Sequence, residues 1–310
     1  MPMRLHVVGN VCVDTSFRLP RLPRPGETLN ATSTVEGIGG KGANQAVAAA
    51  RSGADVCFWA PLGDDDMADR VTEMLKSDLD VDRLIRLPLP TDRSTILLEE
   101  GGENAIVSAV VCARAFDPIQ QTNLTEIWSK DDILLMQGNL PWEVIATCLK
   151  LAKRSDLKTV LNPSPLSDTN VEDLADVDVV IVNRGEACAL TGLESPAAAA
   201  DLLFDRGARS VVVTLGSEGS LVWDQADDAP FVLEAHRSAA VDTSGAGDCF
   251  AGTFVGLLAQ GKTLAAAAKV ATKAAAISVA RLGTLSSYPS RAEFSEIIKI
   301  SELENTWLGQ

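Results

Sequence analysis

The sequence is short of histidine, tyrosine and positive charge. It holds two histidines, His6 and His236, and one tyrosine, Tyr288. A histidine-rich metal centre or a Ser-His-Asp hydrolase is hard to assemble from that stock. Twenty-seven basic residues stand against 42 acidic ones, a formal charge of −15. Such a chain lacks the basic surface that a phosphate backbone requires, so nucleic acid is not an expected partner. An anionic membrane is not one either. Long apolar runs are also missing. The longest stretch free of charge, Cys249–Gly261, falls short of the ~18 residues of a membrane span. Residues 1–10, MPMRLHVVGN, offer no signal-peptide core, and a cytoplasmic location is expected. The six cysteines, Cys12, Cys57, Cys112, Cys148, Cys188 and Cys249, fit neither a zinc pattern nor a small disulfide framework. Their mostly apolar contexts read as buried, reduced thiols.

What is present is an ordinary globular composition, 46% hydrophobic and 22% charged over 310 residues. A chain of that size can bury a sizeable core unaided. Short apolar runs at Leu5–Gly9, Val56–Pro61, Ile133–Gln137, Thr159–Asn162, Val177–Val182 and Ser210–Leu215 read as strands buried on both faces. Helical spacing lies between them at Ala43–Ser52, Asp66–Lys76, Trp142–Arg154 and Ala197–Arg206. Alternation of this kind predicts an α/β fold, a parallel sheet with helices on both faces. Thr28–Glu36 and Ser94–Val110 are strand-like without neighbouring helices, and Glu100–Glu103 (EGGE) reads as a hairpin turn. These pieces suggest a small separate sheet inserted in the α/β body. Asp248–Gln260 and Leu264–Ala280 read as two helices rich in small residues.

Three glycine-rich signals compete. Gly256–Thr263 fits G-x-x-x-x-G-K-[ST], but it follows a helical run where a phosphate loop follows a strand. Gly261 there reads as a helix terminator. Gly37–Gly42 fits G-x-G-x-x-G, with Asp64 near the acidic position of a dinucleotide site. The segment before it is polar and alternating, unlike the first strand of such a site. The third signal, Asp242-Thr243-Ser244-Gly245-Ala246-Gly247-Asp248, opens an apolar helix. Bare N–H groups at a helix start attract an anion, and glycines let it approach. A carboxylate beside that hole suits deprotonation of an alcohol attacking phosphorus.

With Gly39-Gly40-Lys41-Gly42-Ala43-Asn44-Gln45-Ala46 upstream, the sequence resembles the ribokinase-like (PfkB) carbohydrate kinases along nearly its whole length. Pro25–Thr28, Asn162–Pro165, Asn183–Glu186 and Thr214–Gly216 fall in the family's order. The resemblance implies one kinase domain over 1–310, a three-layer sandwich with a central, mainly parallel sheet. A small β-sheet lid would be formed by about 13–38 and 93–112. It implies an ATP-dependent kinase acting on a primary hydroxyl of a pentose-like sugar, and a homodimer clasped through the lid.

Site residues follow from the same resemblance. Asp248 matches the general base, and Gly245, Ala246 and Gly247 the anion hole. Asp14, Gly40, Lys41 and Asn44 match sugar contacts. Asn183, Thr214, Gly216 and Gly219 match the nucleotide side. Asn183 and Glu186 match an Asn-x-x-Glu motif that holds Mg²⁺, partly through water. Asp242, Ser244, Ser278, Arg281, Gly283 and Ser287 fall where the family binds a monovalent cation, usually K⁺, several through backbone carbonyls. Two sugar-facing positions depart from the ribose-specific pattern: Cys12 stands in place of Asn, and Asn139 in place of Glu. A nucleoside kinase of the same fold and a catalytically silent sugar-binding paralogue are the alternatives. Few aromatics for stacking a base disfavour the first, and the complete set of motifs disfavours the second.

Overall fold

The structure, a computed structural model, describes residues 3–99, 104–166, 171–225, 227, 229–236 and 238–308. The chain begins β1 (Leu5–Val8), β2 (Cys12–Leu19), β3 (Ser33–Gly39), α1 (Lys41–Arg51), β4 (Val56–Leu62), α2 (Asp66–Leu75), β5 (Leu84–Arg86), β6 (Arg93–Glu99) and β7 (Asn104–Ala109). It continues through α3 (Val111–Ala115), α4 (Pro118–Gln121), β8 (Ile133–Gln137), α5 (Trp142–Arg154), β9 (Lys158–Asn162), β10 (Val179–Asn183), α6 (Arg184–Thr191) and α7 (Pro196–Asp205). It ends with β11 (Ser210–Thr214), β12 (Ser220–Asp224), β13 (Phe231–Leu233), α8 (Ala246–Ala259), α9 (Leu264–Val279) and α10 (Arg291–Leu308).

The apolar runs form the middle of a nine-stranded sheet, ordered β13-β12-β11-β10-β9-β8-β1-β4-β5. Seven strands are parallel, and β12 and β13 add antiparallel at one edge. Side chains of a strand alternate between faces, so each run feeds two cores. Ile133 and Leu135 enter one core with α1, α2, α8 and α9. Leu134 and Met136 enter the other with α5, α6 and α7. Two covered faces make three layers, as the sequence suggested. Each fully buried Leu, Ile or Phe contributes about 1.5–3 kcal/mol to holding them.

The two odd stretches flank β2 in a second sheet, β3-β2-β6-β7, in which β2 pairs with both β3 and β6. In the first stretch the strand begins at Ser33, so Thr28–Thr32 is not strand. The Glu100–Glu103 turn lies outside the described residues. Val35, Ile106 and Val107 leave this sheet well exposed, Val107 at 72%.

Both decoys resolve structurally. Gly256 lies inside α8, Gly261 follows its C-cap with φ 81°, and Lys262 pairs with Glu302 at 2.6 Å. Gly37–Gly42 joins the small sheet to α1 and does not follow a strand of the parallel sheet. All six cysteines are free, and all but Cys188 are buried.

Helices α1 and α8 pack closely. A Cβ on Gly252 would sit 2.2 Å from the Gln45 carbonyl oxygen, and one on Gly256 would sit 2.9 Å from the Ala49 Cα. Only glycine permits that approach.

Candidate active site

Parallel register aligns the strand ends. Gln137 at the end of β8 pairs with Asn162 at the end of β9, and Asn183 at the end of β10 pairs with Thr214 at the end of β11. Polar residues end the apolar runs there, and Gln137 and Asn162 are buried. In open α/β sheets this carboxyl edge is where ligands sit.

Helix α8 starts beside that edge. Its N-cap, Gly245, has φ 73°, a conformation that leaves no room for a side chain: a Cβ would lie 2.4 Å from Thr284 Cγ2. First-turn N–H groups lack partners within the helix, and Gly245, Ala246 and Gly247 stand at this start, where Ala246 N donates to the Thr243 carbonyl at 3.3 Å. Asp248 follows in the same turn and is 5% exposed. Its carboxylate accepts hydrogen bonds from Asn44 Nδ2 at 3.0 Å and Gln45 Nε2 at 2.9 Å. Lys41 Nζ lies 3.4 Å away. All three donors stand on the first turns of α1. That helix has no side-chain cap on its own N-cap, Gly40. Asn10 supplies one from the end of β1: its Oδ1 accepts from Gly42 N at 3.3 Å and its carbonyl from Ala43 N at 3.0 Å. Burial alone would depress the Lys41 ammonium, but the charges of Asp248 and Glu186 hold it above 10.5.

The small sheet brings Asp14 and Cys12 over this edge. Asp14 and Cys12 stand two apart on β2, facing the same way. The Cys12 thiol donates to Asp14 Oδ1 at 3.2 Å and lies 3.7 Å from Ser94 Oγ, which shares a 2.9 Å hydrogen bond with Ser108 Oγ. Burial raises both groups, the thiol well above 9.0 and the Asp14 carboxyl above 3.8. Gly39 leaves space for the carboxylate: a Cβ there would be 1.9 Å from Asp14 Oδ2. Asn44 Oδ1 and Asn139 Oδ1 are buried acceptors without a protein donor.

On the nucleotide side, Asn183 and Glu186 form a capping box on α6. Glu186 N donates to Asn183 Oδ1 at 2.8 Å, and Asn183 N donates to Glu186 Oε2 at 2.9 Å. The motif therefore does structural work that spacing alone did not reveal. Among the described residues no donor engages Glu186 Oε1, and one hard carboxylate oxygen fits a Mg²⁺ that keeps its waters and leans on phosphates. No cluster of three or more acidic, His or Cys ligands exists among the described residues. Gly216 and Gly219 shape the turn after Thr214, with φ 60° and 102°.

Of the cation positions, Asp242 ties two loops together. Its Oδ1 accepts from Ser244 N at 2.9 Å and its Oδ2 from Gly283 N at 3.0 Å. Arg281 N reaches the Ser278 carbonyl at 3.0 Å, while the Arg281 side chain pairs with Glu293. Ser287 is buried and donates to the Thr284 carbonyl at 2.7 Å.

Sequence reasoning missed four residues here. Gln45, Gln137 and Asn162 form a buried amide chain behind Asp248, and Tyr288 donates to the Gly245 carbonyl at 2.8 Å. Gln45 and Asn162 lay inside quoted motifs, but only the fold shows what they touch. A cavity of about 1010 Å³ lies at the opposite end of the sheet between Arg4, Asp55, Lys153 and Arg209, and contains none of these residues.

The fold is that of the ribokinase-like phosphotransferases. The chain belongs to the pfkB family of carbohydrate kinases, matching it over residues 3–291. It is 32% identical over 306 residues to a ribokinase of Haemophilus influenzae, covering 96% of this chain and 99% of that one. It is also 32% identical over 308 residues to a deoxyribokinase of Salmonella typhi, covering 97% and 100%. The structure of an Arabidopsis thaliana ribokinase complexed with ribose and ATP superposes with a TM-score of 0.83 at 26% identity, covering 96% and 99%. This chain is accordingly an ATP-dependent sugar kinase of the ribokinase type, with a divalent metal accompanying the nucleotide. No helix is long and apolar enough to cross a membrane among the described residues.

Proposed function

We propose that the substrate is a pentose or a closely related polyol, phosphorylated at a primary hydroxyl with Asp248 as general base. One observation carries this reading: the buried Asp248 carboxylate shares the first turn of α8 with the anion hole and accepts hydrogen bonds from α1. A hydroxyl seated between Asp14 and Asp248 would give its proton to Asp248 and attack the γ-phosphorus. Gly245, Ala246 and Gly247 would stabilise charge on the transferred group, and Lys41 would add a cation beside it. Bound Mg²⁺ would neutralise phosphate charge, and Glu186 and Asn183 would hold it partly through water. Thr214, Gly216 and Gly219 would line the nucleotide. Asp14, Gly40, Asn44, Cys12 and Asn139 would face the sugar. The unpartnered Asn44 and Asn139 oxygens suit hydroxyl donors.

A monovalent cation at Asp242, Ser244, Ser278, Arg281, Gly283 and Ser287 would brace the two loops that Asp242 already joins. Exposed Val35, Ile106 and Val107 support the small sheet as a lid and as a homodimer contact.

The test is ADP release with Mg·ATP against D-ribose, 2-deoxy-D-ribose, other pentoses, hexoses, tetritols and nucleosides, with and without K⁺. Pentose-dependent turnover that falls ~10²–10⁴-fold in Asp248→Asn supports the assignment. A nucleoside preference, or unaltered turnover in Asp248→Asn, overturns it.

A further inference from the structure

Behind Asp248 lies a chain of three buried amides from three elements. Gln45 is 0% exposed, Gln137 0% and Asn162 7%. Their orientation follows from chemistry. An ionised carboxylate only accepts, so the Gln45 NH₂ must face Asp248. That NH₂ has two hydrogens. One goes to Asp248 Oδ1 at 2.9 Å and the other to Asn162 Oδ1 at 2.9 Å. Asn162 accepts with its oxygen because its own NH₂ donates to the Ile181 carbonyl at 2.8 Å. The Gln45 oxygen is then left to accept from Gln137 Nε2 at 3.0 Å. Gln45 and Asn162 cannot flip without losing these bonds, and a flipped Gln137, whose Oε1 has no donor, would set two oxygens face to face.

The two Asp248 oxygens are therefore unequal. Oδ1 takes Gln45, with Lys41 also nearby. Among the described residues Oδ2 takes Asn44 alone. We propose that Gln45 is a positioning residue for Asp248: the Gln137–Gln45–Asn162 chain holds Oδ1 and fixes the carboxylate's rotation, so that Oδ2 receives the sugar hydroxyl's proton. This rests on the reading of Asp248 as the base. A neutral amide suits the task, since it donates without adding a charge that would compete with Lys41.

The experiment compares Gln45→Met, Gln45→Glu, Asp248→Asn and the double variant Gln45→Met/Asp248→Asn. D-ribose and 2-deoxy-D-ribose serve as probes with Mg·ATP, and thermal unfolding is the folding control. Gln45→Met is expected to lower kcat about 10- to 100-fold, the loss of one hydrogen bond to a charged group, with both KM values nearly unchanged. Gln45→Glu, which sets a second carboxylate against Asp248, should lose more. In the Asp248→Asn background, Gln45→Met should change kcat less than about two-fold, because residues acting through one group are not additive. Losses that multiply in the double variant, or an unchanged kcat in folded Gln45→Met, would overturn the inference. If Gln45→Met does not fold, Gln137→Met tests the same chain one link further out, and an unchanged kcat there overturns it too. The base reading fails separately, if Asp248→Asn alone keeps full activity.

Discussion

The Tyr288 hydroxyl donates to the Gly245 carbonyl across 2.8 Å, joining the loop after α9 to the first turn of α8. That carbonyl also accepts the helix's own bond from Cys249 N at 2.8 Å. Tyr288→Phe would leave the carbonyl partly satisfied and the ring packed. We expect a loss of about 1 kcal/mol in stability, a Tm lower by about 2 °C, and a several-fold lower kcat as the anion hole loosens. Thermal unfolding and steady-state kinetics check this; an unchanged kcat would confine the bond to stability.

Gly39→Ala and Gly37→Ala form a matched pair on β3. A methyl at Gly39 would collide with the Asp14 carboxylate, whereas one at Gly37 meets nothing within 4 Å. Overpacking of this kind costs about 1–3 kcal/mol. Gly39→Ala should raise the sugar KM by about tenfold or more while Gly37→Ala leaves it alone. Equal KM values in the two variants would argue against Asp14 as a sugar contact.

Asp14 also sets a pH dependence. Burial, aided by the charge of Asp248, holds its carboxyl above 3.8 in the folded chain, against hydrogen bonds from Cys12 and Ser94. Between 3.8 and the raised value the folded chain binds more protons than the unfolded chain. Asp14's contribution to stability is thus fullest below 3.8 and is lost as pH rises through the raised value. Sugar binding has the opposite sign, because the ionised carboxylate is the better acceptor. The sugar KM should rise as pH falls into that window, beginning above the usual carboxylate range. Asp14→Asn should bind sugar weakly and abolish the slope in KM against pH.

Cys12 and Asn139 should set sugar preference. The thiol already occupies one Asp14 oxygen, and the neutral Asn139 side chain holds a buried oxygen without a protein donor. The double substitution Cys12→Asn/Asn139→Glu should move kcat/KM toward D-ribose over 2-deoxy-D-ribose by about tenfold, as one or two gained hydrogen bonds allow. Direct competition between the two sugars measures the ratio.

The large sheet was readable because strands such as Ile133–Gln137 are buried on both faces and carry no polar alternation to confuse the signal. Short edge strands gave less. Phe231–Leu233 is only three residues long and half exposed, and β12 turns antiparallel, which no local pattern announces. Helix α1 starts two residues before Ala43, since the cap comes from Asn10, distant in sequence. Asp248 was legible because a glycine-rich helix start is a local signal. Gln45 was not: its meaning depends on Asn162, 117 positions away, and Asp248, 203 positions away. Capping by Asn183 and Glu186 was hidden for another reason, since one spacing serves both a metal motif and a helix start.

At the α1–α8 seam, Gly252 faces the backbone of Gln45, the same residue whose side chain grips Asp248. The gauge separating acceptor from base is therefore a missing side chain. A single methyl at Gly252, out of reach of either substrate, would act as a shim between the helix carrying Lys41 and Asn44 and the helix carrying Asp248. At this seam the tolerance is tightest where the residue is smallest.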